Sequence, residues 1–290
     1  MYPTNFDYYR PSTVQEAIDL LSKDKNAKIL AGGHSLLPAM KLRTSAPSAL
    51  VDIGRIKDLV GIKADGNTVT IGPMTTHATV ASSDVVKSKC PILAETATVI
   101  GDVQVRNRGT IGGSLAHADP AADYPSTIVA LGATITATGV KGSRDIPADQ
   151  FFKGPLTTAL DQTELITAIS VPAYGAMKGM GGAYVTHVHP ASSYSVVGVA
   201  AMVGLDKGKC ARVSLVVGGA TINPVHAGAA EKALTGMEPS EANIAAAAAL
   251  VVQAITNPMS DVYASSEYRA HLATVLAKRA LMTAVARAQA

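Results

Sequence analysis

Apolar residues at Val14, Ala17, Ile18 and Leu21 recur at helical spacing and give a first helix one apolar face. Thr13 and Glu16 stand in front of it at capping-box spacing, and Asp24 to Asn26 close it. A short apolar strand, Lys28 to Ala31, then runs straight into Gly32-Gly33, and a second strand is expected at Leu50 to Ile53. This tight alternation predicts a small α/β unit with parallel strands. From Asp65 the period changes. Asp65-Gly66-Asn67 reads as a turn, and Thr68 to Ile71 alternates as a half-buried strand does. Ala133 to Thr138 and Leu165 to Val171 alternate in the same way. Between them, Gly101 to Pro125 reads as a glycine-rich loop, and Pro172 to Gly182 as a linker.

Three further strands are expected at Ala183 to His189, Ser195 to Leu205 and Ala211 to Val217. Asp206-Lys207-Gly208-Lys209 joins the last two as a hairpin. The rest reads as helical: Pro224 to Leu234, a segment capped by Ser240 that runs to Ile255, and Glu267 to Ala288. On the last, Tyr268, Leu272, Val275 and Leu276 share a face. The pattern predicts an α+β chain, with a mixed first part and a second part of strands followed by helices.

Hydrophobic residues make up 48% of the 290 positions and charged residues 16%, which supplies a packed core and excludes a disordered chain. The net charge of +3 is too small for a nucleic-acid footprint. Two distant cysteines, Cys90 and Cys210, exclude a disulfide scaffold. They also exclude an iron–sulfur cluster held by this chain alone, which takes about four thiolates. No run reaches the ~18 apolar residues of a membrane span. The start, MYPTNFDYYRPS, has no secretory pattern, so a cytoplasmic location is expected.

Two segments carry candidate chemistry. In AGGHSLLPAMKLR (31–43) a strand ends in two glycines before a helical turn, an arrangement that brings backbone N–H groups to a pyrophosphate. TIGGSLAHADPAAD (110–123) offers a second Gly-Gly turn with Thr110, Ser114 and Asp123 around it. Two such loops suit opposite sides of one long ligand. His187-Val188-His189 puts two imidazoles on one strand face, but no third ligand is evident and no metal is expected.

Taken together and in this order, these segments resemble the FAD-binding medium subunit of molybdenum-containing hydroxylases. That family includes carbon monoxide dehydrogenase and the equivalent domain of xanthine dehydrogenase and aldehyde oxidase. The resemblance spans nearly the whole chain. It runs from FDYYRPSTVQEAIDLL (6–21) through VDIGRI (51–56), IGPMTT (71–76) and DVQVRNRGTIGGSLAHADPAAD (102–123) to EYRAHLATVLAKRAL (267–281). It implies a two-lobed FAD-binding fold over 1–174, with lobes at 1–57 and 58–174. A smaller domain at 180–290 would hold a three-stranded antiparallel sheet and a helical bundle. It implies that Ile29, Leu30, Ala31, Gly32, Gly33, His34, Ser35 and Leu36 hold the pyrophosphate through backbone amides. Thr110, Ile111, Gly112, Gly113 and Ser114 would form the second loop against the FAD, and Asp123 would bond its polar groups. The Leu165 backbone would meet the flavin ring or its neighbour, and Ile100 and Tyr194 would lie near the isoalloxazine. His34 stands where distant flavoproteins attach flavin covalently; in the nearer family the flavin is not covalent.

The implied partners are an iron–sulfur small subunit carrying [2Fe–2S] clusters and a large subunit carrying the molybdenum cofactor, assembled as a dimer of heterotrimers. Electrons would pass from the clusters through this FAD to an external acceptor. One stretch departs from the pattern: close relatives often have several Lys and Arg residues where this chain reads AYVTHVHPASSYSVV (183–197). The departure leaves the acceptor open. Carbon monoxide, aldehydes and N-heterocycles are all open as substrates. A stand-alone FAD-dependent oxidoreductase with its own organic substrate is the alternative, and a scaffold that has lost flavin is a third reading.

Overall fold

The computed structural model describes all 290 residues. Near the N-terminus, β1 (Asp7–Tyr9) and β2 (Lys28–Leu30) both pair in parallel with β3 (Ala49–Asp52), in the order β1-β3-β2. Helix α1 (Val14–Lys23) crosses between β1 and β2. Thr13 Oγ1 accepts from the Glu16 N–H at 3.1 Å, while the Glu16 carboxylate reaches back to the Ser12 N–H at 2.7 Å. The reciprocal cap therefore closes one residue earlier than its spacing suggested. Ala17, Ile18 and Leu21 pack on Val51 and Ile53. Helix α2 (Leu36–Lys41) begins directly after the first glycine turn.

The second sheet is antiparallel, in the order β4 (Ile62–Asp65), β5 (Thr68–Ile71), β10 (Leu165–Pro172), β6 (Thr134–Gly139), β7 (Gly142–Pro147). Every second residue of β6 is buried, as its alternation requires. Five helices cover this sheet: α3 (His77–Ser82), α4 (Asp84–Lys89), α5 (Pro91–Val99), α7 (Ile111–His117) and α8 (Tyr124–Leu131); α6 (Val103–Arg108) lies outside them against α3 and buries none of its residues. Residues 101–125 are thus not a loop. Asp102 caps α6 by accepting from the Val105 N–H, and Thr110 caps α7 by accepting from the Gly113 N–H. The polar residues that look like loop formers are the caps of two short helices. Beyond β7 lie α9 (Ala148–Phe151) and a ribbon of β8 (Phe152–Gly154) with β9 (Thr157–Thr158). Leu165, at the start of β10, packs into the core of the first sheet and joins the two units.

The expected linker is short and held in place. The Tyr174 and Gly175 N–H groups both donate to the Lys89 carbonyl, at 2.8 and 2.9 Å. A Cβ at Gly175 would overlap the Ser88 carbonyl oxygen.

The third sheet is antiparallel, β11 (Met180–Val188), β12 (Ser195–Asp206), β13 (Lys209–Gly218) and β14 (Val225–His226). The fourth strand is two residues long and takes up the start of the segment that Pro224 had suggested was helical. Helix α10 (Gly228–Leu234) follows it. Lys207 (φ 49°) and Gly208 (φ 78°) form the tight β12–β13 turn. Nearly all of β12 is buried because both faces are covered. Val197, Val199, Ala201 and Val203 pack toward α12 (Ser266–Gln289), and Ala200 and Met202 join the core under α8. This explains its unbroken apolar run. Helix α11 (Glu241–Ala249) ends in a 3₁₀ turn over Leu250–Ala254. The buried face of α12 carries Leu272, Leu276, Ala280 and Ala284, whereas Tyr268 is exposed. No helix is long and apolar enough to cross a membrane.

Helix α12 sits so close to β11 that a Cβ at Gly181 would overlap the Ala284 carbonyl oxygen. Gly181→Val is expected to destabilise the fold by at least ~1–3 kcal/mol, the usual cost of overpacking. Urea unfolding should show a lower midpoint with little change in slope. An unchanged midpoint would mean that this helix and strand do not pack as described.

Candidate functional site

The first glycine pair uses its two glycines for different reasons. Gly33 has φ 78°, a left-handed conformation. Gly32 has none, but a Cβ on it would overlap the Arg108 carbonyl oxygen and lie 2.8 Å from Gly109 Cα. The turn after β2 therefore lies backbone against backbone on the 108–109 segment. The N–H groups of Gly32, Gly33, His34, Ser35 and Leu36 find no acceptor within the chain. His34 is exposed, and its Nδ1 lies 3.2 Å from the Gly32 carbonyl, folded back on its own turn.

The second pair is arranged the opposite way. The Ile111 N–H donates to the Thr75 carbonyl at 3.1 Å and the Gly112 N–H to the Pro73 carbonyl at 2.8 Å. Gly113 and Ser114 donate to the side chain and carbonyl of Thr110. These amides are spent inside the protein. A Cβ at Gly112 would overlap the Pro73 side chain, so this glycine also serves a close approach. Gly113 has ordinary helical φ; a Cβ there would come within 2.8 Å of Thr110 Oγ1 and 3.4 Å of Ala31 Cβ. Behind the loop, the His77 N–H donates to the Gly109 carbonyl. The His77 ring packs at 5.3 Å from the Tyr124 ring, and burial, with His34 and Arg106 nearby, lowers its pKa to about 4.

The two turns wall a cleft of about 1050 Å³. Fifteen of the seventeen residues singled out from the sequence line it: Ile29, Ala31, Gly32, Gly33, His34, Ser35, Leu36, Ile100, Thr110, Gly112, Gly113, Ser114, Asp123, Leu165 and Tyr194. Two do not. Ile111 is wholly buried in the core beneath the loop, and Leu30 packs its side chain toward Gly33. The cleft also takes His77, Gly109, Ala121 and Ser192, which sequence reasoning missed. Gly109 reads as a lone glycine after Arg106-Asn107-Arg108; a Cβ on it would overlap the His77 ring, and its Cα lies under Gly32. Lys25, Lys28 and histidines supply the basic side chains of the lining; no arginine does.

Asp123 stands at the start of α8, buried, with Oδ1 accepting the Tyr184 hydroxyl at 2.7 Å. Burial pushes its carboxyl up to about 7, against the lowering effect of that hydrogen bond. Tyr194 is half-exposed at the rim, and burial together with the Asp119 charge raises its phenol pKa. His187 and His189 turn to aromatic neighbours, edge-on to Tyr268 and against Tyr263. No three His, Cys, Asp or Glu side chains gather in a metal-holding group, and both cysteines are buried and free.

Residues 4–174 match the family described as FAD binding domain in molybdopterin dehydrogenase, and residues 183–284 the CO dehydrogenase flavoprotein C-terminal domain. The chain is 39% identical over 290 residues to the carbon monoxide dehydrogenase medium chain of Afipia carboxidovorans, covering 100% of both. It is 39% identical over 280 residues to the glyceraldehyde dehydrogenase medium chain of Sulfolobus acidocaldarius, covering 97% of this chain and 98% of the other. A solved carbon monoxide dehydrogenase from Hydrogenophaga pseudoflava superposes with a TM-score of 0.95 at 40% identity, over 99% of both chains. Fold and cleft together define an FAD-binding oxidoreductase subunit. The chain belongs to the family of FAD-binding medium subunits of molybdenum-containing hydroxylases.

The residues present fit that cofactor. Five unpaired amides suit a diphosphate, and a cleft of about 1050 Å³ has room for two ring systems. Gly113→Val puts a branched side chain between the cofactor wall and Ala31 and displaces only the Thr110 cap of α7, a cost of about 1 kcal/mol. Flavin content of the purified variant is expected to fall at least ~10-fold, with thermal unfolding of the apoprotein shifted by no more than a few degrees. Full flavin occupancy would show that Gly113 does not border the cofactor.

Proposed function

We propose that this chain is the electron-transfer subunit of a molybdenum hydroxylase, taking electrons from iron–sulfur clusters on a small subunit and delivering them to an external acceptor. The molybdenum cofactor resides on a large subunit, and the complex is a cytoplasmic dimer of heterotrimers. The cleft is the observation that carries this reading. It offers a diphosphate cradle of backbone amides, and its half-exposed rim at Tyr194 leaves one end open to solvent. Bound FAD supplies the chemistry: it takes electrons singly and releases them in pairs.

The chain's own residues bind and orient it. The amides of Gly32 to Leu36 hold the diphosphate, with Ile29 and Ala31 as apolar wall. Thr110, Gly112, Gly113 and Ser114 form the adjoining wall, in which the amides of Gly112 to Ser114 are already bonded within the chain. Ile100 and Tyr194 would lie near the isoalloxazine, the Leu165 backbone would meet the ring or its neighbour, and Asp123 would bond a polar group of the cofactor. The FAD domain spans 1–174, in lobes 1–57 and 58–174, and the sheet-and-helix domain spans 180–290. The bond to FAD is read as non-covalent, as in the family to which the chain belongs. Relatives of near-equal identity are named for carbon monoxide and for glyceraldehyde, which supports a substrate site on another subunit.

Full-length chain loaded with FAD should bleach on chemical reduction and recover its colour in air. Carbon monoxide, aldehydes and N-heterocycles should each leave it unbleached until the small and large subunits are added. Bleaching by any of them with the chain alone would contradict the electron-transfer reading and favour a stand-alone oxidoreductase.

A further inference from the structure

Tyr184 reaches from β11 of the third sheet to the start of α8, where its hydroxyl donates to Asp123 Oδ1 at 2.7 Å. Both residues are buried, each 5% exposed. The phenol has a reserved space: a Cβ at Gly198, on the neighbouring strand, would overlap its oxygen. A glycine in mid-strand is otherwise unfavourable, since it packs nothing and loses the most backbone freedom. The hydroxyls of Ser195 and Thr186, 2.8 Å apart, lie beside the phenol, and the Ser195 N–H donates to the Ala121 carbonyl two residues before Asp123. A tyrosine kept only to fill the core would need neither the clearance nor the carboxylate.

Asp123 lines the cleft, and with Oδ1 taken, Oδ2 is the oxygen left to meet a ligand. No cation faces it; the titratable groups that feel its charge are the phenols of Tyr184 and Tyr124. The Tyr184 hydrogen bond is therefore the one side-chain contact that favours the carboxylate over the neutral acid.

We propose that Tyr184 is a positioning residue for the flavin, holding Asp123 as an oriented carboxylate acceptor so that the third sheet helps set how the cofactor is bound. This rests on the reading that Asp123 contacts FAD. Burial places the Asp123 midpoint at about 7, so FAD affinity rises as pH increases through neutrality and the carboxylate forms.

The test is FAD titration of the full-length apoprotein, followed by flavin fluorescence from pH 5.5 to 8.5, for wild type, Tyr184→Phe, Asp123→Asn and the double variant. Tyr184→Phe keeps the ring and removes the proton. It is expected to weaken FAD about 10-fold at pH 7, as loss of a hydrogen bond to a charged group does. It should also move the midpoint of the pH profile upward. Asp123→Asn should weaken FAD and flatten the profile, and the double variant should match Asp123→Asn. Gly198→Ala, which keeps both groups but pushes them apart, should shift the profile as Tyr184→Phe does and covers a fold defect in the phenylalanine variant. If Asp123→Asn weakens FAD while Tyr184→Phe keeps the wild-type affinity and profile, or if the two effects simply add, the inference is overturned. Wild-type behaviour of Asp123→Asn would overturn the Asp123 reading itself.

Discussion

The structure turns on one contact, the backbone of Gly32 lying directly on the carbonyl of Arg108 and the Cα of Gly109. Two segments some 75 residues apart in the chain, one following β2 and the other ending α6, meet there without side chains between them. Everything about the site follows. With Gly32 fixed, the positive φ of Gly33 turns the next amides outward. With the second turn fixed, the amides of Ile111 to Ser114 are consumed by Thr75, Pro73 and Thr110. One turn becomes a donor array and the other a rigid wall, although both are written as Gly-Gly.

This division suits a diphosphate held without arginines. Oriented backbone amides act as a fixed partial positive charge and need no reorganisation when an anion arrives. The third sheet and the helix packed on it also bond to the unit that carries the cleft. Tyr184 bonds Asp123, while Arg287 reaches the Glu95 carboxylate with two bonds of 2.7 and 2.9 Å. The buried core under α8 includes Tyr184, Ala200, Met202 and Val216 from that sheet, so it forms part of the cofactor unit's packing.

Much of this was legible in the sequence. The parallel opening unit, the alternating strands and the Lys207-Gly208 hairpin follow from period and turn chemistry, and both glycine pairs marked the cleft. What was not legible required distance. Asp102 and Thr110 look like loop residues until the amides they cap are known. Strand β14 is too short to show a period, and Pro224 misleads because proline also opens helices. Ile111 shares a motif with residues that line the cleft, but one residue's rotation sends its side chain into the core. Tyr184 hides in an apolar strand, and its meaning lies in Asp123, 61 residues earlier.

Amide hydrogen exchange, followed residue by residue with and without FAD, addresses the central claim most directly. The account predicts that Gly32 to Leu36 exchange rapidly in the apoprotein and slow strongly when FAD binds. Ile111 to Ser114 should be protected in both states, because their hydrogens are already bonded within the chain. Protection gained at 111–114 with none at 32–36 would contradict it and place the diphosphate on the wrong turn.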